Sequence, residues 1–151
     1  MALLAKGTWV VLADGEKALI CENVGTPRAP RLKLHAKMEQ TLLADREIAA
    51  DRPGRMPDPG PGQRSAMEET DYHRQAKERF AAEVAGRLNR MALRADVARL
   101  VVAAPPQVLS VLRAGFDEAV TPRVIAALPK TLTQHPLGKV GGMVADLIDP
   151  L

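Results

Sequence analysis

Apolar residues gather first in two short blocks. Thr8-Trp9-Val10-Val11-Leu12-Ala13 is apolar at consecutive positions, which predicts a central strand covered on both faces. Ala18 to Asn23 reads as its return strand. The intervening Asp14-Gly15 is the dipeptide favoured in two-residue hairpin loops, where both positions need φ above zero. After a turn from Gly25 to Pro30, the segment Leu32 to Met38 alternates. Leu32, Leu34, Ala36 and Met38 are expected to point inward, with Arg31, Lys33, His35 and Lys37 toward water on an edge strand.

The period then changes. Thr41 to Ala50 has moderate helical character and fits a short helix or a loop. Four prolines and three glycines between Asp51 and Gln63 exclude regular structure there. Ser65-Ala66-Met67-Glu68 has the spacing of a capping box, and Asp71 is a second candidate cap. Tyr72, Ala76, Phe80, Val84, Leu88 and Met91 recur at helical intervals, and the charged residues occupy other faces, so a long amphipathic helix is predicted.

Leu100 to Ala104 is a continuous apolar run stopped by Pro105-Pro106, the pattern of a buried parallel strand. A helix over Pro106 to Phe116 places Val108, Leu109 and Leu112 inward. Arg123 to Leu128 is the last predicted strand, and Thr133 introduces a terminal helix on Leu137, Val140, Val144 and Leu147, weakened by Gly141-Gly142. The resulting order, β-β-β-α-β-α-β-α, predicts an α/β (α+β-like) protein. Its single mixed sheet combines an antiparallel meander with crossovers and carries helices on its faces.

Composition adds limits. At 151 residues with 46% apolar and 26% charged positions, the chain reads as one soluble domain over 1–151, with a Pro/Gly-rich flexible loop at about 51–64. The net charge of +3 permits a nucleic-acid partner without requiring one. A lone cysteine, Cys21, excludes an intrachain disulfide and any CxxC site, and is expected to be a buried, inert thiol. That usage, with no apolar run long enough to span a membrane and no signal-peptide pattern, predicts a cytoplasmic protein without membrane association.

The candidate chemistry centres on residues 51 to 94. Arg52, Arg55 and Arg64, beside Arg74 and Lys77 on the predicted helix, form a candidate RNA- or phosphate-binding group, diluted by Asp51, Asp58, Glu68 and Glu69. His35, His73 and His135 have no ligand spacing, so no metal is expected. There is no Walker loop, no GxGxxG after a strand and no GxSxG, so no cofactor is expected and a hydrolase triad finds no support. With four aromatic residues in the chain, any RNA contact would run through phosphates and shape.

Several local signatures in this order resemble a known bacterial family. They are Thr8 to Gly15 with Cys21-Glu22-Asn23, Asp51-Arg52-Pro53-Gly54-Arg55, Leu100 to Pro106 leading into Leu112-Arg113, and Pro129-Lys130-Thr131-Leu132-Thr133. The family is the one labelled "protein required for attachment to host cells", grouped with proteins similar to the middle domain of eukaryotic and archaeal peptide-chain release factors. The resemblance implies a release-factor middle-domain-like, RNase H-like architecture. It also implies a glutamine in a Gly-Gly-Gln tripeptide before the long helix, which places the water that hydrolyses peptidyl-tRNA.

Here that location holds Gly60-Pro61-Gly62-Gln63, so Gly62 and Gln63 are the candidate catalytic residues and Pro61 stands where the first glycine would. Proline fixes φ near −65° and removes an N–H that could stabilise an oxyanion. The expectation is therefore a non-catalytic binding factor acting on RNA, the ribosome or a translation-associated partner. The alternatives are ester hydrolysis with Gln63 positioning water, and a direct or regulatory role in host attachment.

Overall fold

The first apolar block, β1 (Trp9–Ala13), is buried along its whole length and forms the middle of a five-stranded sheet. The computed structural model describes residues 3–41, 62–94 and 97–148, the side chains of 62–70 excepted. Around β1 lie β2 (Lys17–Asn23) and β3 (Leu32–Glu39) on one side, and β4 (Leu100–Ala103) and β5 (Val124–Leu128) on the other, in the order β3-β2-β1-β4-β5. The β1–β2 and β2–β3 pairs are antiparallel; β1–β4 and β4–β5 are parallel. Helix α1 (Gly62–Arg94) precedes β4, α2 (Pro106–Gly115) leads toward β5, and α3 (Leu137–Ile148) closes the described chain. The mixed sheet and the element order agree with the fold class expected from the hydrophobic pattern.

Strand alternation divides the core into two layers. Trp9, Val11 and Ala13 pack with Ile20, Val102, Phe80 and Val84 of α1, and Leu109 and Leu112 of α2. Val10 and Leu12 pack on the opposite face with Cys21, Val101, and Val140 and Val144 of α3. Burial pushes the Cys21 thiol up to about 11, so it stays protonated at neutral pH.

Four local expectations are corrected. The β2–β3 register shifts between Ile20, which opposes Ala36, and Cys21, which opposes Leu34, leaving His35 as the extra residue of a bulge. The alternation therefore changes face midway: Leu32 joins the α3 layer, Ala36 and Met38 join the α1 layer, and Leu34 is left 44% exposed. At the first hairpin neither Asp14 nor Gly15 has positive φ, since Gly7 alone has it among the described residues. Instead the Asp14 carboxylate accepts from the N–H groups of Glu16 and Lys17 at 2.7 and 2.8 Å, and the Asp14 N–H donates to the Lys17 carbonyl.

The third correction concerns α1, which begins at Gly62, upstream of both candidate caps. Gly62 and Gln63, expected at the end of an irregular loop, are its first residues. The fourth concerns Thr133, which lies outside α3; that helix starts at Leu137. Gly141, expected to weaken α3, gives it close approach to the β2–β3 turn: an added Cβ would stand 3.2 Å from Pro30 Cβ. The possible helix over 41–50 lies outside the described residues beyond Thr41.

Candidate nucleic-acid interface

Strands β1 and β4 run parallel, and their carboxyl ends face chain segments that leave in opposite directions, one to the β2 hairpin and the other to α2. Such a divergence opens a crevice, the place where open α/β sheets bind ligands. Asp14 and Gly15 form one lip; Pro105, Pro106 and Gln107 form the other.

Helix α1 roofs the crevice, and its position there is held by specific contacts. Gln40, just after β3, donates through Nε2 to the Gly15 carbonyl at 2.8 Å and to the Ala76 carbonyl at 3.0 Å, tying edge strand, hairpin and helix together. The Lys77 stem lies on Gly15, where an added Cβ would stand 2.4 Å from Lys77 Cγ. Gly15 thus supplies room for a close approach. Its φ needs no glycine.

Two hollows meet beneath the helix. One, of about 440 Å³, is lined by His73, Arg74, Lys77 and Glu78 of α1 with Gln107, Val108 and Val111 of α2. The other, of about 510 Å³, continues from Lys77, Gln107 and Val108 to Asp14, Glu16, Thr131 and Gln134. The floor is apolar and the rim carries both signs of charge. Arg74 donates to Asp71 at 3.3 Å, an exposed pair of the kind that contributes little to stability. Lys77 has no ion-pair partner among the described residues.

Asp14, one of the acids of the crevice with Glu16 and Glu78, is already engaged. Thr133 Oγ1 donates to Asp14 Oδ2 at 2.5 Å, on the carboxylate whose other oxygen accepts the two hairpin N–H groups. Burial alone would raise the Asp14 pKa. The hydrogen bonds from Thr133, Glu16 and Lys17, with the Lys17 charge, outweigh it and hold the carboxyl below its usual range. A carboxylate so stabilised is a weak base, and Thr133 is buried, so the pair pins the segment after β5 to the hairpin. Among the described residues no group of three or more His, Cys, Asp or Glu side chains could hold a metal ion.

Of the candidates from sequence, Arg74 and Lys77 meet at this crevice. Gly62, Gln63 and Arg64 are helical in backbone, with side chains outside the described residues; Arg52 and Arg55 lie outside them altogether. Ala76 is level with the hairpin, so the turns from Gly62 to Gln75 carry α1 roughly 20 Å past the sheet. Tyr72, expected in the core by its spacing, is 37% exposed because it belongs to this overhang. Gln40, Gln107 and Gln134 shape the site without any local sequence signal, and Thr133, marked by sequence as a helix start and part of a local signature, shapes it through Asp14. No helix of the described residues is long and apolar enough to cross a membrane.

A model of the bacterial archaeo-eukaryotic release factor family 12 matches residues 7–144. No curated protein matches the chain. The chain belongs to bacterial archaeo-eukaryotic release factor family 12, which supports the release-factor side of the sequence resemblance.

Proposed function

We propose that this release-factor-like protein is a non-catalytic binding factor, acting in the cytoplasm on RNA, the ribosome or a translation-associated partner. The overhang of α1 carries this reading. On the described part of that overhang Asp71, Tyr72, Arg74 and Gln75 are exposed, so they are available to a partner. Arg74 and Lys77 stand where that overhang meets the crevice. The segment bearing Arg52 and Arg55 connects Thr41, at the same end of the sheet, to the start of α1. Phosphates are the anions such a group would meet, since Arg and Lys together neutralise a backbone without reading bases.

Binding without catalysis is favoured by the state of the crevice. Asp14, its pKa lowered, is held as a hydrogen-bond acceptor, and Pro61 interrupts the glycine pair that would free the backbone before Gln63. A part in host attachment would on this reading be regulatory, exerted through translation.

The test is titration of a fluorescein-labelled single-stranded RNA with wild-type protein and with Arg52→Ala/Arg55→Ala/Arg64→Ala. Wild type should bind with affinity falling steeply as salt rises, and the variant should bind about tenfold more weakly with a shallower slope. Absence of RNA binding at 50 mM salt, together with failure to sediment with ribosomes, would reject this reading.

A further inference from the structure

The opposite end of the sheet, where β1 and β4 begin, has a different charge pattern. Arg87, Arg90 and Arg94 follow at i, i+3 and i+7 on α1, a spacing that places them on one stripe. All three are exposed, and no ion pair joins them to a carboxylate among the described residues. From Val84 to Arg94 the helix has no acidic residue. A hollow of about 380 Å³ is lined by Arg87, Arg90 and Arg94, with Met91 as its apolar lining among the described residues. Arg90 is laid along the helix, its Nη1 3.5 Å from where a Cβ on Gly86 would stand.

The neighbouring groups leave this stripe unneutralised. Glu83 lies one turn before Arg87 on the same stripe but forms no ion pair with it. Glu22 is taken up by His35, 2.8 Å away, and His35 stacks on Trp9. The Asp117 N–H is held by Asn89 on the side of α1 that faces α2. The carbonyls of Ala92 and Val97 are satisfied by Arg123 Nη1 at 3.2 and 2.9 Å, so Arg87, Arg90 and Arg94 are not needed to cap the helix. Arg99 adds a further exposed cation at this end, its Nη2 donating to the Lys6 carbonyl at 3.4 Å.

We infer that the Arg87–Arg90–Arg94 stripe is a phosphate-binding surface for an RNA strand, separate from the crevice at the other end of the sheet. This rests on the reading that the protein acts on RNA, and it names a surface which that reading does not contain. Arginine presents a planar fork that holds phosphate oxygens two at a time. Three such forks within roughly 10 Å of helix axis suit an anion that repeats along a chain. An acidic protein partner would call for apolar anchors at the centre of its interface, and among the described residues Met91 is the only one that lines the hollow. With no aromatic side chain lining it among the described residues, the stripe would hold a backbone without stacking bases.

The experiment is an anisotropy titration of a labelled 20-nucleotide oligouridylate between 50 and 300 mM salt. It compares wild type with Arg87→Gln/Arg90→Gln/Arg94→Gln, circular dichroism confirming the fold of both. The triple variant should bind about tenfold more weakly at low salt, with the slope of log K against log salt reduced by about 2, or about 0.7 per lost phosphate contact. If the triple variant does not fold, the three single exchanges decide, each expected to lower the slope by about 0.7. Wild-type binding with an undiminished slope in these variants overturns the stripe and leaves the broader RNA reading standing. No RNA binding by wild type overturns the stripe, and with failure to sediment with ribosomes it overturns the broader reading as well. Polyglutamate that binds more tightly than the RNA, and depends on the same arginines, assigns the surface to an acidic protein and overturns this inference.

Discussion

The two ends of the sheet are made from the same strands and the same long helix, yet they differ in how their charges are used. At the carboxyl end, Asp14 is tied to Thr133 and its own hairpin, Arg74 is paired with Asp71, and Glu16 and Glu78 stand beside Lys77. At the amino end, Arg87, Arg90 and Arg94 share one stripe without a carboxylate partner among the described residues. A net charge of +3 conceals this segregation. The lesson is that charge placement by topology, and not total charge, decides where a polyanion can lie.

The largest effect is expected at Asn23, the buried polar anchor of the amino end. Its Nδ2 donates to the Leu4 carbonyl at 2.7 Å and to the Ala5 carbonyl at 3.5 Å, and its Oδ1 accepts from the N–H groups of Gly25 and Arg31. Asn23→Ala should cost about 3 kcal/mol, because truncation leaves buried backbone groups unpaired, and should lower Tm by about 10 °C. Urea denaturation checks it. A loss under 1 kcal/mol would mean that this end does not depend on Asn23.

A smaller effect is expected from the matching anchor at the carboxyl end. Thr133→Val should cost about 1–2 kcal/mol by removing one short hydrogen bond to a carboxylate. The pH dependence follows from the depressed Asp14 pKa. Its contribution is present above the unfolded-state value, about 3.9, and is lost as pH falls through the lower folded value. The stability gap between wild type and Asp14→Asn should therefore be constant above about pH 5 and close as the solution is acidified. A gap that widens in acid would contradict the assignment.

The smallest effect is expected at Gly15. Because its φ is not positive, Gly15→Ala should cost under about 1 kcal/mol, the cost of displacing the Lys77 stem, and should be nearly neutral in a Lys77→Ala background. A double-mutant cycle measures this. Additive effects would show that Gly15 and Lys77 do not press on each other.

The order of elements was legible because each has a strong local signal: consecutive burial in β1, alternation in β3 and a 3.6-residue period in α1. What escaped depends on distance and register. The Asp14–Thr133 bond joins positions 119 apart in the chain, which no window of sequence can see. The bulge at His35 divides a regular alternation between two faces, because pairing with β2, not the pattern within β3, sets the register. Tyr72 fits the helical period but lies beyond the end of the sheet, so periodicity named the correct face of α1 and not the length over which that face is buried. Arg74 and Lys77 were identifiable as a basic pair. That Lys77 lies over Gly15 required the fold.

The most direct test of the account is co-sedimentation of the purified wild-type protein with ribosomes through a sucrose cushion, at low salt and again at high salt. The account predicts that the protein travels with the ribosomal fraction at 50 mM salt and is released as salt rises, as expected for contacts with phosphates. Protein that remains at the top of the cushion at low salt, and also fails to bind free RNA, would contradict it.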